Sequence, residues 1–140
     1  MDREAMQAVV ERLHAIWNSG DVSLVPGVYS ADFVVHWLSL VPPKDSVGRA
    51  GAIEAIEFTR AAFPDWHEDV VDMVIDGDRV VTRYVSTGTH EGEFEGVPPT
   101  GRTIELHEMS IYRIEAGLVA EQWCVDNMPC VMPQISPPAR

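Results

Sequence analysis

Apolar residues recur at helical spacing from the start of the chain. Met6, Val9, Val10, Leu13, Ile16 and Trp17 share one face and Arg3, Glu4, Glu11 and Arg12 the other, which predicts an amphipathic helix over residues 3–18. Asn18-Ser19-Gly20-Asp21 ends it, Gly20 suiting a helix C-terminus and Asp21 the N-cap of the next element. Residues 22–30 suit a short second helix disturbed by Pro26 and Gly27, and Phe33 to Leu38 is a first strand. Beyond a loop with Pro42, Pro43 and Gly48, residues 49–62 read as a third helix with Ile53, Ile56 and Ala61 or Ala62 inward, stopped by Pro64-Asp65. The pattern then changes to strands over about 66–75, 79–90, 102–114 and 118–126. Asp76-Gly77-Asp78 joins the first pair and Glu115-Ala116-Gly117 the last, both hairpin signals. Helices followed by a run of antiparallel strands predict an α+β fold. Residues 1–140 read as a single domain with no repeat or linker, and the tail from Pro129 to Arg140, with its prolines, reads as irregular.

Charge removes several function classes. Ten basic against 22 acidic residues give a formal net charge of -12, opposite to what phosphate contacts or an anionic membrane surface require. No apolar run reaches membrane-spanning length, and MDREAMQ lacks the apolar core of a secretory signal, so the expected location is the cytoplasm. The two cysteines, Cys124 and Cys130, form no disulfide framework or zinc spacing. Five histidines stand at 14, 36, 67, 90 and 107 with no His-x-His or HExxH arrangement, so no metal is expected. No nucleophile elbow, phosphate-binding Gly loop or dinucleotide fingerprint is present, and no cofactor is expected.

The hairpin from Thr103 to Asp126 carries the candidate chemistry. Side chains alternate across a strand, so Glu121, Trp123 and Val125 share one face. Pairing centred on Ala116 would put Glu121 opposite Ile111, with His107 on the same face further along the partner strand. A carboxylate facing an apolar pocket has its pKa raised by desolvation and can serve as a general base near neutral pH; an unplaced Glu otherwise faces solvent. His107 reads either as a pocket imidazole or as a half-buried histidine satisfied by a neighbour. The Tyr84 phenol could bind a substrate oxygen or simply pack across the sheet. His36 and Trp37 are adjacent on a strand, so only one can face a cavity. Phe58, Phe63, Trp66 and Met73 read as core, and the Gly- and Pro-rich loop from Glu91 to Arg102 as a pocket rim.

The order Gly88-Thr89-His90-Glu91-Gly92, then Gly96-Val97-Pro98-Pro99-Thr100-Gly101-Arg102, then Glu121-Gln122-Trp123 resembles the SnoaL-like polyketide cyclases of the nuclear-transport-factor-2-like superfamily, over roughly Val9 to Asn127. The resemblance implies a cone-shaped barrel, with a cavity between the concave face of a curved, mostly antiparallel sheet and three helices. It implies Glu121 as catalytic carboxylate, where characterised cyclases commonly have Asp, His107 as its pocket partner, and His36 as a cavity residue; Tyr84 and Trp123 complete the expected substrate contacts. The implied reaction is cofactor-free: proton abstraction α to a carbonyl and intramolecular aldol cyclisation of a small polyketide-like molecule, or a related isomerisation. A non-catalytic small-molecule-binding domain is the alternative, favoured if Glu121 lies away from the cavity. Epoxide hydrolysis would need a second pocket carboxylate, and strand phase suggests none. A homodimer is expected, through the outer sheet face carrying Val81, Arg83 and Val85.

Overall fold

A computed structural model describes residues 1–136. Helix α1 (Arg3–Ser19) starts at Asp2, whose carboxylate accepts the Ala5 N–H at 2.8 Å, and ends at Gly20 with φ +74°. A 3₁₀ turn over Val22–Gly27 takes the place of the expected second helix, since Pro26 and Gly27 cannot sustain an α-helix there. It leads into β1 (Tyr29–Trp37), β2 (Lys44–Val47) and α2 (Gly48–Ala62). Four long strands complete the sheet: β3 (His67–Asp76), β4 (Arg79–Thr89), β5 (Thr103–Glu115) and β6 (Leu118–Asp126). The short, polar β2, Lys-Asp-Ser-Val, has no hydrophobic alternation to announce it.

The strands form one sheet in the order β2-β1-β6-β5-β4-β3, with β1 and β6 parallel and all other neighbours antiparallel. The fold is α+β, as the element order predicts. Helix α1 lies over β3, β4 and β6, and α2 over β1 and β2. Their apolar stripes bury Met6, Val9, Val10, Leu13, Ile16 and Ile56 against Tyr112, Val80 and Val119 of the sheet. The tail is more ordered than its prolines suggest: Met128–Cys130 is a 3₁₀ turn and α3 (Val131–Ile135) buries Val131 and Ile135. Gln134 holds α3 to the edge of the cone, accepting the Glu105 N–H at 2.6 Å and donating to the Glu105 carbonyl at 3.0 Å. The end of the tail, 137–140, lies outside the described residues.

Strand phase decides what faces inward. On β5 the even positions Ile104, Leu106, Glu108, Ser110, Tyr112 and Ile114 are buried, while Glu105, His107 and Met109 are exposed. On β4 the even set Val80, Thr82, Tyr84 and Ser86 is likewise buried. The turn between β5 and β6 is Ala116-Gly117, both at positive φ, so Glu115 pairs with Leu118 and Ile114 with Val119. The next pair is Arg113 with Glu121. Ala120 is therefore an extra residue, a bulge that reverses the facing of everything after it. Val119 and Ala120 are both buried, then Gln122 and Cys124, while Glu121, Trp123 and Val125 turn to the convex side.

The β4–β5 loop is tied to the end of α2. Glu91 and Gly92 both donate to the Ala62 carbonyl at 3.0 Å, and a Cβ on Gly92 would stand 2.0 Å from the Ala61 carbonyl oxygen. Gly92→Ala is expected to lower unfolding free energy by about 1–3 kcal/mol, the usual cost of overpacking, read from urea denaturation. Gly27→Ala, with no atom within 4 Å of the new methyl, should change it by less than about 0.5 kcal/mol.

Candidate active site

Between the concave sheet face and the helices lies a cavity of about 860 Å³. Its walls are aromatic and aliphatic, with Trp17, Trp37, Phe63, Trp66, Tyr84 and Phe94 contributing rings. Val41, Lys44, Glu54 and Glu95 mark its open side, where they are exposed to solvent. Phe63 and Trp66, read from sequence as core, are buried and line this space, so core and binding wall are one surface there, while Phe58, also read as core, lines it but is 56% exposed. Three further carboxyl groups line it: Glu68 of β3, Glu108 of β5 and Asp126 at the end of β6. The expectation of a single pocket carboxylate is thus overturned. Among the described lining residues Lys44 is the only cation.

Glu108 is 8% exposed and accepts a short hydrogen bond from the Ser86 hydroxyl; the Cys124 thiol lies 3.9 Å from its other oxygen. Burial pushes its carboxyl well above the ordinary carboxylate range, and the negative charge of Glu68 pushes it further. A carboxyl raised in this way favours its protonated, O–H-donating form. Asp126 is also raised by burial, though its side chain accepts the Met128 N–H at 2.8 Å. Tyr84 donates to or accepts from Ser110 at 2.9 Å, and Gln122 donates to the same hydroxyl at 3.1 Å. Burial raises the Tyr84 phenol well above its usual value, so it remains neutral.

Glu68 is built differently. One oxygen is 2.7 Å from His14 Nδ1, and the other accepts the Trp66 indole N–H at 3.0 Å. His14 Nε2 lies 3.1 Å from both the Thr82 and Tyr112 hydroxyls, which are 3.0 Å from each other. A buried Glu–His pair with every polar atom partnered meets the condition under which such groups are tolerated in a core. His14 occupies the inward face of α1, beside Leu13 and Trp17, and that placement was the available signal for it.

Of the residues singled out from sequence, Tyr84 lines the cavity and the others do not. Glu121, His107, His36 and Trp123 all lie on the convex face. Glu121 fails to enter because the Ala120 bulge shifts its phase. His107 sits on the odd phase of β5, its side chain 59% exposed, where Met109 and Ile111 are outnumbered by the buried even-phase Ile104, Leu106, Tyr112 and Ile114. On β1 the cavity takes Trp37, which shares the phase of Phe33 and Val35, and His36 faces out. Glu108, Cys124 and Asp126 each offer a potential ligand atom within 4.8 Å of the others. This grouping comes from two paired strands, so a search for local histidine spacing could not find it.

The SnoaL-like polyketide cyclase family model matches residues 7–135. The chain belongs to that family. Among solved structures, this SnoaL-like protein is similar to IdmH of Streptomyces antibioticus, a candidate polyketide cyclase, with 32% identity over 92% of this chain and 96% of that one and a TM-score of 0.80. AclR of Streptomyces galilaeus, a candidate hydroxylase, is 30% identical over 99% of this chain and 87% of its own, with a TM-score of 0.84. A SnoaL-like protein of Jannaschia sp. CCS1 shares the fold at 24% identity, covering 99% of both chains with a TM-score of 0.86. Comparison with curated proteins gives no match. Among the described residues no helix is long and apolar enough to cross a membrane.

On the convex face the SnoaL-like chain carries an ion cluster. His36 Nε2 is 2.7 Å from Glu121 and its Nδ1 2.9 Å from Asp45, while Arg113 reaches the other Glu121 oxygen at 3.3 Å. Trp123 packs on His36 at 5.6 Å between rings, and the Arg79 guanidinium lies 5.0 Å over the indole. The bond to Glu121 raises the His36 pKa, and the same bond lowers that of Glu121. The raised imidazole contributes stability below its unfolded value near 6.5 and loses it as pH rises through the folded value. The depressed carboxylate contributes above its unfolded value near 4.5 and loses it as pH falls. His36→Ala should therefore destabilise most between about pH 4.5 and 6.5, by about 0.2–1 kcal/mol, with a smaller difference above and below in urea unfolding.

Proposed function

We propose that the protein is a cofactor-independent acid–base enzyme acting on a small, largely apolar, carbonyl-bearing molecule of the polyketide type. The observation that carries this reading is Glu108, a buried carboxyl on the wall of an aromatic cavity, hydrogen-bonded by the Ser86 hydroxyl and raised by burial. A carboxyl kept neutral can donate its O–H to a carbonyl oxygen and hold the charge that grows there as an enolate forms. An ionised cavity carboxylate takes the proton from the adjacent carbon. The enolate carbon then forms a C–C bond to a second carbonyl carbon of the same molecule, whose oxygen becomes a hydroxyl as the proton is returned. The sum is an isomerisation with no oxidant or reductant. Holding the flexible chain folded inside the cavity supplies much of the rate through proximity.

A second reading is a non-catalytic binding domain, favoured by the position of Glu121 outside the cavity. The two readings part on variants assayed against a panel of linear polyketide β-keto esters, with ring closure followed by mass spectrometry and absorbance. Glu108→Leu removes the donor without leaving a buried charge and should cut turnover by ~10²–10³-fold, the usual value of one oxyanion donor. Glu121→Gln, on the other face, should turn over at the wild-type rate. Equal rates in wild type and Glu108→Leu would remove Glu108 from the chemistry, and binding without turnover across the panel would favour the binding domain.

A further inference from the structure

Glu68 and Glu108 line the same cavity but are equipped for opposite protonation states. Glu68 has two N–H partners for its carboxylate, the His14 imidazole at 2.7 Å and the Trp66 indole at 3.0 Å, whereas Glu108 has one hydroxyl and a distant thiol. Donors aimed at both oxygens favour the charged form. The backbone under Glu68 is also fixed: its N–H donates to the Asn18 side chain at 2.6 Å, and its carbonyl accepts from the same amide at 3.2 Å. His14 is itself oriented, because a Thr82 or Tyr112 hydroxyl donating to Nε2 leaves the proton on Nδ1, pointing at Glu68. Tyr84 packs edge-on against that ring at 4.7 Å.

We propose that Glu68, held by His14 and Trp66, is the base that removes the α-proton and later returns it to the new hydroxyl oxygen, with His14 as its positioning residue. The C–H bond breaks onto Glu68 and its electron pair enters the enolate. When the C–C bond closes, the resulting alkoxide takes the proton back and Glu68 is regenerated. This rests on the acid–base reading above and divides it between two carboxyls, Glu68 as the base and Glu108 as the hydrogen-bond donor. After burial, a charge on Glu68 is the next cause that raises Glu108. The groups facing Glu68 are His14 from α1, Tyr29 from β1, Tyr84 from β4, and Tyr112 and Glu108 from β5. Burial raises the three phenols and the Glu108 carboxyl.

The test uses β-tetralone, a two-ring ketone whose benzylic α-protons exchange with D₂O, followed by NMR with the whole protein. The wild type should accelerate exchange, and Glu68→Gln should lose ~10²–10⁴-fold of that acceleration, the range of a general base, while still binding the ketone. Trp66→Phe removes one donor to the Glu68 carboxylate while keeping a ring in the wall, so it should lower kcat for exchange more than it raises KM for the ketone. Glu68→Gln exchanging at the wild-type rate, with Glu108→Leu impaired, would overturn the assignment of Glu68 and leave the acid–base reading standing. No acceleration by the wild type would take down both. Should Glu68→Gln lose its fold by circular dichroism, the Trp66→Phe kinetics decide, and an unchanged kcat overturns the proposal.

Discussion

Ala120 has no partner across the β5–β6 ladder, and because side chains alternate along a strand, that unpaired residue governs which half of β6 meets the cavity. Before it, Val119 faces in; after it, Gln122 and Cys124 do. The polar groups of the cavity wall depend on this shift. Gln122 and Tyr84 converge on Ser110, Cys124 approaches Glu108, and Asp126 ends the strand beside it. The displaced residues do not waste their charge. Glu121 finds His36 and Arg113 on the convex face, and Trp123 stacks between His36 and Arg79.

The interior is acidic in a way that the overall charge of -12 does not explain, since that charge is mostly solvated surface. Three inward carboxyls, Glu68, Glu108 and Asp126, share a space whose only lining cation, among the described residues, stands with Glu54 and Glu95 at the open side. Such a set cannot all ionise in a medium that screens poorly. The fold resolves the conflict by giving Glu68 strong donors and giving Glu108 little but burial. Any ligand that enters meets two carboxyls in different hydrogen-bond surroundings, set in walls of indole and phenyl rings.

Much of the fold was legible in the chain. The amphipathic spacing of α1, the Gly20 stop, the Asp76-Gly77 hairpin and the four long strands arise from local chemistry, and their physical causes are the ones found. The order of GVPPTGR and Glu-x-Trp carried the family. The site was less legible. Strand period gives relative facing, and Glu121, Trp123 and His107 do share a face. Which face is inside depends on counting both phases of β5, where Ile104, Leu106, Tyr112 and Ile114 decide, and on a bulge whose only mark is a small residue. Glu68 and His14 escaped for another reason: they are 54 positions apart, and only the packing of α1 on β3 makes them a pair.

A wall one residue thick, with its facing set by one unpaired position, can exchange its two faces by a shift of register. Losing Ala120 would remove the bulge and leave the facing as it is, because Val119 would be followed directly by the outward Glu121. Pairing Ala120 with Arg113 would instead turn the rest of β6 over, presenting Glu121 and Trp123 to the ligand in place of Gln122 and Cys124. No substitution would be needed, and every side chain involved is already encoded. A one-residue shift in pairing can thus exchange the inner and outer chemistry of a strand, and an ungapped alignment with a bulge-free strand would match residues from opposite sides of the wall.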